Sequence, residues 1–355
     1  MSDSTSVPKA PNVAQSNGIP PPSFELPVPD TPDLVTENVF KLNTLITNPR
    51  QRLLMDKLVE HLHVFAKETK LTIAEWRAAI EFLTRTGQTC TPLRQEFILL
   101  SDIFGFSSLV EGLSNPSDGK GTDHTVLGPF FTEDAAEVSL GESIASEGKG
   151  EFLFVEGRVL NTDGAPVPGA VIETWEADEN GFYDTQYADR EKPDCRGRLR
   201  TDTQGRYSFR AVVPVPYPIP GDGPVGELLT MLNRHNMRPA HLHFMVTAPG
   251  LKTLVTALYP EGDTYLTNDA VFAVKRSLVV NFEQVTDATE AQRRGIPRDK
   301  PFKLLQFDFV LRKDSEGSSG SEGHKVEADH TKRDPTPALG PTPAVAPAVP
   351  RDAKL

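Results

Sequence analysis

The stretch Arg238-Pro-Ala-His-Leu-His-Phe244 places two imidazoles two residues apart inside an apolar run. The alternation of apolar residues predicts a strand over residues 240–248. Side chains alternate faces along a strand, so His241 and His243 are expected to point the same way. Two imidazoles side by side on a rigid strand can hold one metal ion.

The same spacing occurs at His61 and His63, where it has a different meaning. Leu54, Leu58 and Phe65 recur at helical intervals around this pair, which predicts a helix. Residues two apart on a helix do not face each other, so we interpret His61 and His63 as surface histidines. The spacing therefore indicates a metal site only when it lies on a strand.

The hydrophobic period changes along the chain, and the change predicts an α+β protein. Residues 33–115 read as helices, with a start at Asn48-Pro49, a capping box at residues 72–75 and an end at Gly87. After residue 152 the period becomes two, with Gly and Pro at the turns, and the last strands are expected at 271–280 and 305–311. The predicted parts are a disordered segment 1–32, a helical N-terminal domain 33–115, an antiparallel β-sandwich catalytic domain 116–313 and a disordered tail 314–355.

Composition excludes several classes of protein. The net charge of −12 argues against a nucleic-acid partner, which needs clustered Lys and Arg. No apolar run reaches the length of a membrane span, and no secretory signal opens the sequence. The two cysteines, Cys90 and Cys195, favour a reducing, cytoplasmic location. The chain ends in Ala353-Lys-Leu355, which is close to a peroxisomal address.

Two of the six tyrosines stand out by their surroundings. Tyr217 lies in Pro214-Val-Pro-Tyr-Pro-Ile-Pro220, and four prolines in seven residues stiffen the backbone that carries the phenol. Tyr183 follows Asn180-Gly-Phe, soon after the predicted strand that contains Trp175. Either tyrosine read alone is more often a packing residue than a ligand. Taken with the two histidines, the spacings are 34, 24 and 2 residues.

The chain resembles the intradiol ring-cleavage dioxygenases over about residues 35–312. The resemblance is carried by Tyr-Pro-x-Pro-x-Asp-Gly-Pro-Val-Gly from Tyr217 and by Arg-Pro-Ala-His-x-His-Phe from Arg238. It implies that Tyr183, Tyr217, His241 and His243 bind one Fe(III) per subunit, with no organic cofactor. It also implies that Tyr217 acts as a base and that Arg238 stabilises negative charge on the substrate. A buried structural ion pair is the alternative for Arg238.

The ligand types agree with that implication. A structural zinc site favours Cys and His, and an Fe(II) oxygenase favours two His and one carboxylate. Two phenolates with two neutral imidazoles suit a harder, more highly charged cation. A β-sandwich that has lost its iron and serves as a binding or carrier module is the alternative from another class.

Within the family the resemblance is greatest to the hydroxyquinol 1,2-dioxygenases, which implies 1,2,4-trihydroxybenzene and O2 as substrates and maleylacetate as product. A catechol 1,2-dioxygenase that makes cis,cis-muconate is the alternative. Asp102 could accept a hydrogen bond from the third hydroxyl, which catechol lacks, or could instead cap a helix. Ala257 stands where catechol enzymes typically carry Gln, and Leu127 replaces a Phe common in the hydroxyquinol branch. The implied substrate-binding residues are Leu99, Asp102, Leu127, Gly128, Phe130, Ile219, Pro220 and Val271.

The resemblance also implies a homodimer formed through the N-terminal helices, with lipid bound at the interface. The apolar stripes of these helices fit that assembly and fit an ordinary helical domain equally well. The expected partners are therefore a small aromatic diol, O2 and a second copy of the chain.

Overall fold

The computed structural model of the chain describes residues 17–91, 94–298 and 300–314. Most of the two segments predicted to be disordered, residues 1–16 and 315–355, lies outside these ranges, as does the C-terminal tripeptide. The chain divides into two compact units between Leu83 and Thr84. In the described ranges, no single helix has the length and apolar composition to cross a membrane. Two consecutive helices of the second unit satisfy both criteria together, but they meet at 81°.

The first unit is helical and follows the local capping rules. Its helices are α1 (Pro32–Asn43), α2 (Pro49–Thr69) and the first part of α3 (Ile73–Thr89). The Asn48 side chain accepts hydrogen bonds from the first turn of α2, and Thr72 and Glu75 exchange the two bonds of a capping box. The predicted helix end at Gly87 is wrong, because α3 continues to Thr89.

The histidines of α2 have separate environments. His61 is exposed, whereas His63 is half-buried and its Nδ1 lies 2.9 Å from Thr36 Oγ1 on α1. Their side chains project from different sides of the helix, as the helical period requires. The interpretation as surface histidines therefore fits His61, whereas His63 is partly covered and contacts α1.

The second unit places two short helices before its sheets. Gly105, with φ of 70°, ends α4 (Glu96–Ile103) and starts α5 (Phe106–Ser114). Glycine adopts this left-handed conformation without steric cost, so the chain can turn sharply between the helices. Two further helices, α6 (Pro224–Met231) and α7 (Ala288–Arg293), lie in the connections between strands.

The described residues of the second unit contain the strands β1 (Phe152–Asn161), β2 (Val171–Trp175), β3 (Arg196–Arg200), β4 (Arg206–Val212), β5 (Tyr217–Pro218), β6 (Met237–Arg238), β7 (Leu242–Thr247), β8 (Leu254–Pro260), β9 (Val279–Val280), β10 (Glu283–Val285), β11 (Phe302–Gln306) and β12 (Phe309–Leu311).

These strands form two five-stranded sheets and one two-stranded sheet. One large sheet has the order β10-β11-β1-β12, with β4 also paired to β1, and the other has the order β3-β2-β7-β8-β9. Their inner faces supply one apolar core, in which Phe209 and Phe244 are fully buried.

The predicted order of a helical region followed by a sandwich of sheets is confirmed, but the sheets are mixed rather than wholly antiparallel. Strands β11 and β12 pair with β1 in parallel, and β9 pairs with β8 in parallel. Strands that are adjacent in sequence favour antiparallel pairing through tight turns, whereas β1 and β11 are separated by most of the domain and can meet in either direction. Alternation in the sequence predicts a strand but not its direction.

The strand predicted over residues 271–280 is also wrong for most of its length. The backbone N–H groups of Val271 and Ala273 donate to the carboxylate of Asp269, at 3.3 and 3.0 Å. Phe272 between them has a φ of 57°, outside the extended region. These donors are therefore used by a side chain instead of a sheet ladder, and only Val279–Val280 forms a strand.

Candidate metal centre and substrate pocket

Strand β7 positions the two histidines that the sequence singles out. His243 lies within the strand and His241 immediately precedes it, and both are buried. Their Nε2 atoms are 3.0 Å apart. Burial and the nearby Arg238 guanidinium lower the pKa of both imidazoles well below the ordinary value, so both are neutral and can donate a lone pair.

The two tyrosines reach the same point from separate loops. Tyr183 precedes a single 3₁₀ turn, and its backbone N–H donates to the Gln186 side chain of that turn at 2.8 Å. Tyr217 begins the short strand β5 and pairs directly with Arg238 of β6. The two hydroxyls are 3.4 Å apart, and each lies 3.4 Å from His241 Nε2.

These four side chains form a compact, water-excluded donor set. None is more than 4% exposed. Among the described residues no group of three or more His, Cys, Asp and Glu side chains could hold a metal ion. The further donors that lie beside these histidines are the two phenol oxygens, each 3.4 Å from His241 Nε2. Burial and the neighbouring Tyr217 phenol raise the pKa of Tyr183 well above its usual value, so a phenolate there requires a cation beside it. Two phenolate oxygens and two imidazole nitrogens at this spacing fit a hard, highly charged metal ion.

Arg238 lies at the edge of the donor set and is itself almost fully buried. Its Nε and Nη2 atoms contact the carboxylate of Asp269 at 3.2 and 3.5 Å. Its Nη1 atom instead faces the centre, 3.4 Å from the Tyr217 hydroxyl and 3.3 Å from His241 Nε2. The guanidinium therefore combines both alternatives left by the sequence, since one edge forms a structural ion pair and the other faces the candidate site.

An aromatic wall covers one side of the centre. The ring of Phe130 stacks on Tyr183 with centroids 4.3 Å apart and meets the edge of Tyr217 at 6.5 Å. Leu127 packs against the same cluster. A Cβ at Gly128 would stand 3.5 Å from the His243 ring, and the residue has a φ of 76°. Because of this φ, a residue with a side chain would be strained at position 128, although its Cβ would only touch the imidazole.

Two further predicted pocket residues, Asp102 on α4 and Val271 after Asp269, lie near the ion pair of Arg238 with Asp269. Asp102 lies in the last turn of α4 and is half-buried. Burial raises the pKa of its carboxyl, a hydrogen bond from Ser107 and the charge of Arg238 lower it, and the charge of Asp269 raises it further. Val271 is buried and is fixed through its backbone by Asp269.

The remaining predicted pocket residues occupy the same elements. Leu99 is half-buried on α4, and Ile219 and Pro220 follow the end of β5. Ile219 is buried and its backbone exchanges hydrogen bonds with Asn236. Their contact with a substrate stays a prediction.

Several side chains that support the centre were missed from the sequence. Asp269 anchors Arg238, although 31 residues separate them. Arg196 is buried and ion-pairs with Asp184, the residue after Tyr183, while it also donates to the backbone carbonyl of Phe130 at 3.0 Å. The position of Asp184 beside a candidate ligand is the only local signal for this network. The pairing of Arg196 with the Phe130 segment depends on the tertiary fold.

Comparison with known proteins identifies the family. Residues 126–313 match the family model described as "Dioxygenase", and residues 48–122 match the model "Catechol dioxygenase N terminus". With the relatives below, these matches show that the chain belongs to the intradiol ring-cleavage dioxygenases, a family of non-haem iron enzymes.

Named relatives are similar over most of their length. The intradiol ring-cleavage dioxygenase hqdA of Aspergillus niger is 46% identical over 308 residues, which cover 87% of this chain and 92% of that protein. The hydroxyquinol 1,2-dioxygenase of Nocardioides simplex is 48% identical, with 79% and 94% covered. The solved structure of hydroxyquinol 1,2-dioxygenase from Pseudomonas putida DLL-E4 aligns with a TM-score of 0.75 at 43% identity, covering 80% of this chain and 99% of that chain.

Proposed function

We propose that this dioxygenase uses one Fe(III) ion to cleave 1,2,4-trihydroxybenzene with O2, giving maleylacetate. The convergence of four polar atoms carries the proposal. The hydroxyls of Tyr183 and Tyr217 and the Nε2 atom of His241 lie 3.4 Å from one another, and His243 Nε2 lies 3.0 Å from His241 Nε2. The names of the hydroxyquinol 1,2-dioxygenases at about 48% identity support the choice of substrate.

The two phenols and two imidazoles would hold the iron. The chemistry that such an ion supplies when bound is withdrawal of electron density from a coordinated diphenolate, so that a ring carbon can react with O2. The protein contributes a buried donor set of the required charge and keeps the imidazoles neutral.

The residues around the donor set would then handle the substrate. Tyr217 would accept a proton from a substrate hydroxyl, and Arg238 Nη1 would stabilise the oxygen that becomes negative. Phe130, Leu127 and Val271 would exclude water from the ring, because their side chains are apolar and partly or fully buried. The backbone bonds of Asp269 to Val271 and Ala273 would hold this wall in place.

Asp102 would select the trihydroxy substrate by accepting a hydrogen bond from the third hydroxyl. A site built for that hydroxyl discriminates strongly against an analogue without it, because the polar group is left unpaired. Ala257 lies directly opposite His243 in the β7–β8 ladder and is fully buried. The catechol enzymes' typical Gln would put an amide there, whereas the methyl group offers no polar contact.

The visible spectrum tests the metal assignment. Tyrosinate-to-Fe(III) charge transfer should colour the iron-loaded protein red-brown, and a colourless protein with bound iron would contradict the donor set.

Oxygen uptake with 1,2,4-trihydroxybenzene against catechol tests the substrate, and faster turnover of catechol would favour the alternative. Asp102→Ala should lose more kcat/KM on the trihydroxy substrate than on catechol, and equal losses would remove Asp102 from substrate selection.

We also propose that α2 contributes to a homodimer interface. Its apolar stripe, Leu54, Leu58, Leu62 and Phe65, is 51–56% exposed, and α1 and α2 have no buried residues. An exposed stripe of this size is typical of an interaction surface. Light scattering should give twice the chain mass for the native protein and the monomer mass for Leu58→Glu, with lipid extraction showing whether the interface also holds lipid. A native monomer would overturn the assembly.

A further inference from the structure

The two candidate histidine ligands are held in place by different means. The Nδ1–H of His241 donates to the carbonyl oxygen of Pro239 at 2.8 Å. A carbonyl only accepts, so this bond fixes the proton on Nδ1 and leaves the Nε2 lone pair free. This is the usual way in which a protein orients a histidine that binds metal.

His243 has no such bond within the described part of the chain. Its Nδ1 atom is buried and makes no hydrogen bond to the described residues. The ring nevertheless has a definite orientation, with its Nε2 atom 3.0 Å from that of His241. Some other contact must therefore set the plane of this imidazole.

Trp175 supplies that contact. Its ring stacks on the His243 ring with centroids 4.8 Å apart and planes within 6° of parallel. Trp175 ends β2, and the ladder between β2 and β7 places it directly opposite His243. Opposed residues in a sheet are close enough for their rings to pack face to face.

The stack is itself rigid. Trp175 is only 1% exposed, and the ring of Phe131 meets its edge at 5.0 Å. On a different segment, Gly128 leaves room for the same imidazole, since a Cβ at that position would stand 3.5 Å from the His243 ring. A planar imidazole stacked on a buried indole has little freedom to rotate.

We propose that Trp175 is a positioning residue that aims His243 at the metal by stacking, in place of the hydrogen bond that orients His241. The inference rests on the proposed iron site. It predicts that removing the indole loosens one ligand and leaves the other three in place. Supporting groups around a metal typically change its affinity by about 10- to 100-fold, and we expect the lower part of that range.

Fluorescence tests the contact without using turnover. The chain has two tryptophans, and Trp76 lies half-exposed on α3 in the helical unit. In a Trp76→Phe protein, Trp175 is the sole tryptophan, and loading with Fe(III) should quench most of its emission. Emission that is unchanged while the visible band develops would overturn the placement of Trp175 beside the site.

Iron release tests the role. Iron-loaded native protein, Trp175→Phe and Trp175→Leu are mixed with an excess of a strong chelator, and decay of the visible band is followed. We expect the smaller ring of Trp175→Phe to release iron a few-fold faster and Trp175→Leu about tenfold faster than the native protein. Equal rates in all three proteins would overturn the proposal.

A matched core variant separates positioning from general destabilisation. Phe209 is fully buried between the sheets, and its ring contacts are with Tyr207 and Phe244, not with the four candidate ligands. Phe209→Leu should lower the unfolding temperature as Trp175→Leu does, but should release iron at the native rate. If it releases iron as fast as Trp175→Leu, the stack has no special role. Native protein that holds no iron would overturn the proposed function and this inference together, whereas unaltered release from Trp175→Leu would overturn this inference alone.

Discussion

The molecule contains the His-x-His spacing twice, and the two pairs differ in geometry and in burial. His241 and His243 lie at and within a buried strand, with their Nε2 atoms 3.0 Å apart. His61 and His63 lie on a helix, where one ring is exposed and the other contacts Thr36. The period of the backbone, not the spacing in sequence, decides whether two imidazoles meet. Burial and the Arg238 charge then lower the pKa of His241 and His243, so both are neutral donors.

The largest expected effect comes from removing one histidine of each pair. His243→Ala should lose the visible band and reduce turnover to background, because the donor set loses a neutral ligand. His61→Ala, the matched control, should keep native iron content and kcat. Metal analysis and oxygen uptake on both purified variants give the comparison. A His61→Ala protein that loses iron would show that the helical pair also matters to the centre.

The second largest effect tests whether Asp269 positions the Arg238 guanidinium beside His241 and His243. Asp269→Asn should keep the colour of the iron-loaded protein, since no candidate ligand changes, but should lower kcat by up to about a hundredfold through misplacement of Arg238. Glu290→Gln is a suitable control, because it weakens the ion pair with Arg294 away from the centre. In an Arg238→Leu background, Asp269→Asn should cost much less activity than in the native protein, since only the bonds from Val271 and Ala273 to position 269 are then left to be disturbed. A full second loss there would mean that Asp269 does not act through Arg238.

The sequence predicted the parts of the candidate site that depend on short-range constraints. The proline-rich segment around Tyr217 and the alternation around His243 are local, and the structure brings their polar atoms to one point, although ligand roles stay predictions. The contacts that Asp269 and Trp175 make with the candidate site could not be predicted from the sequence. Asp269 reaches Arg238 from 31 residues away, and Trp175 reaches His243 only through the pairing of β2 with β7.

The same limit explains the errors in the fold. The residues after Asp269 form an apolar run of the kind found in buried strands, yet the N–H groups of Val271 and Ala273 bond to the Asp269 carboxylate and leave no ladder there. The parallel pairing of β11 with β1 likewise depends on how a long connection returns. Periodicity describes which faces are apolar, but it does not describe which donors a distant side chain will use.

A fifth histidine, His124, shows that burial alone does not make a metal ligand. His124 is 6% exposed, and burial together with Lys252, Arg312 and Lys275 lowers its pKa to about 4, against the opposing charge of Asp123. The unfolded chain binds this proton below pH 6.5 but the folded chain does not, so stability is lost as pH falls from about 6.5 to about 4.

The loss should amount to about 2 to 3 kcal/mol. Urea unfolding of the native protein and of His124→Gln across this pH window measures it, and the difference in slope between the two is the contribution of His124. Parallel pH profiles would show that the imidazole titrates normally in the fold. The variant should keep iron, because burial without converging donor atoms makes no site.

The smallest effect tests what the helical pair does instead of binding metal. Thr36→Val removes the hydroxyl that contacts His63 Nδ1 at 2.9 Å and should lower the free energy of unfolding by about 1 kcal/mol. Thr69→Val is the control, since the Thr69 hydroxyl bonds only to the carbonyl of Phe65 within its own helix. Denaturant unfolding should show the larger loss for Thr36→Val, with native iron content in both proteins. Equal losses in the two variants would mean that the contact between Thr36 and His63 adds no stability of its own. The expected larger loss for Thr36→Val would mean that this contact stabilises the packing of α1 against α2.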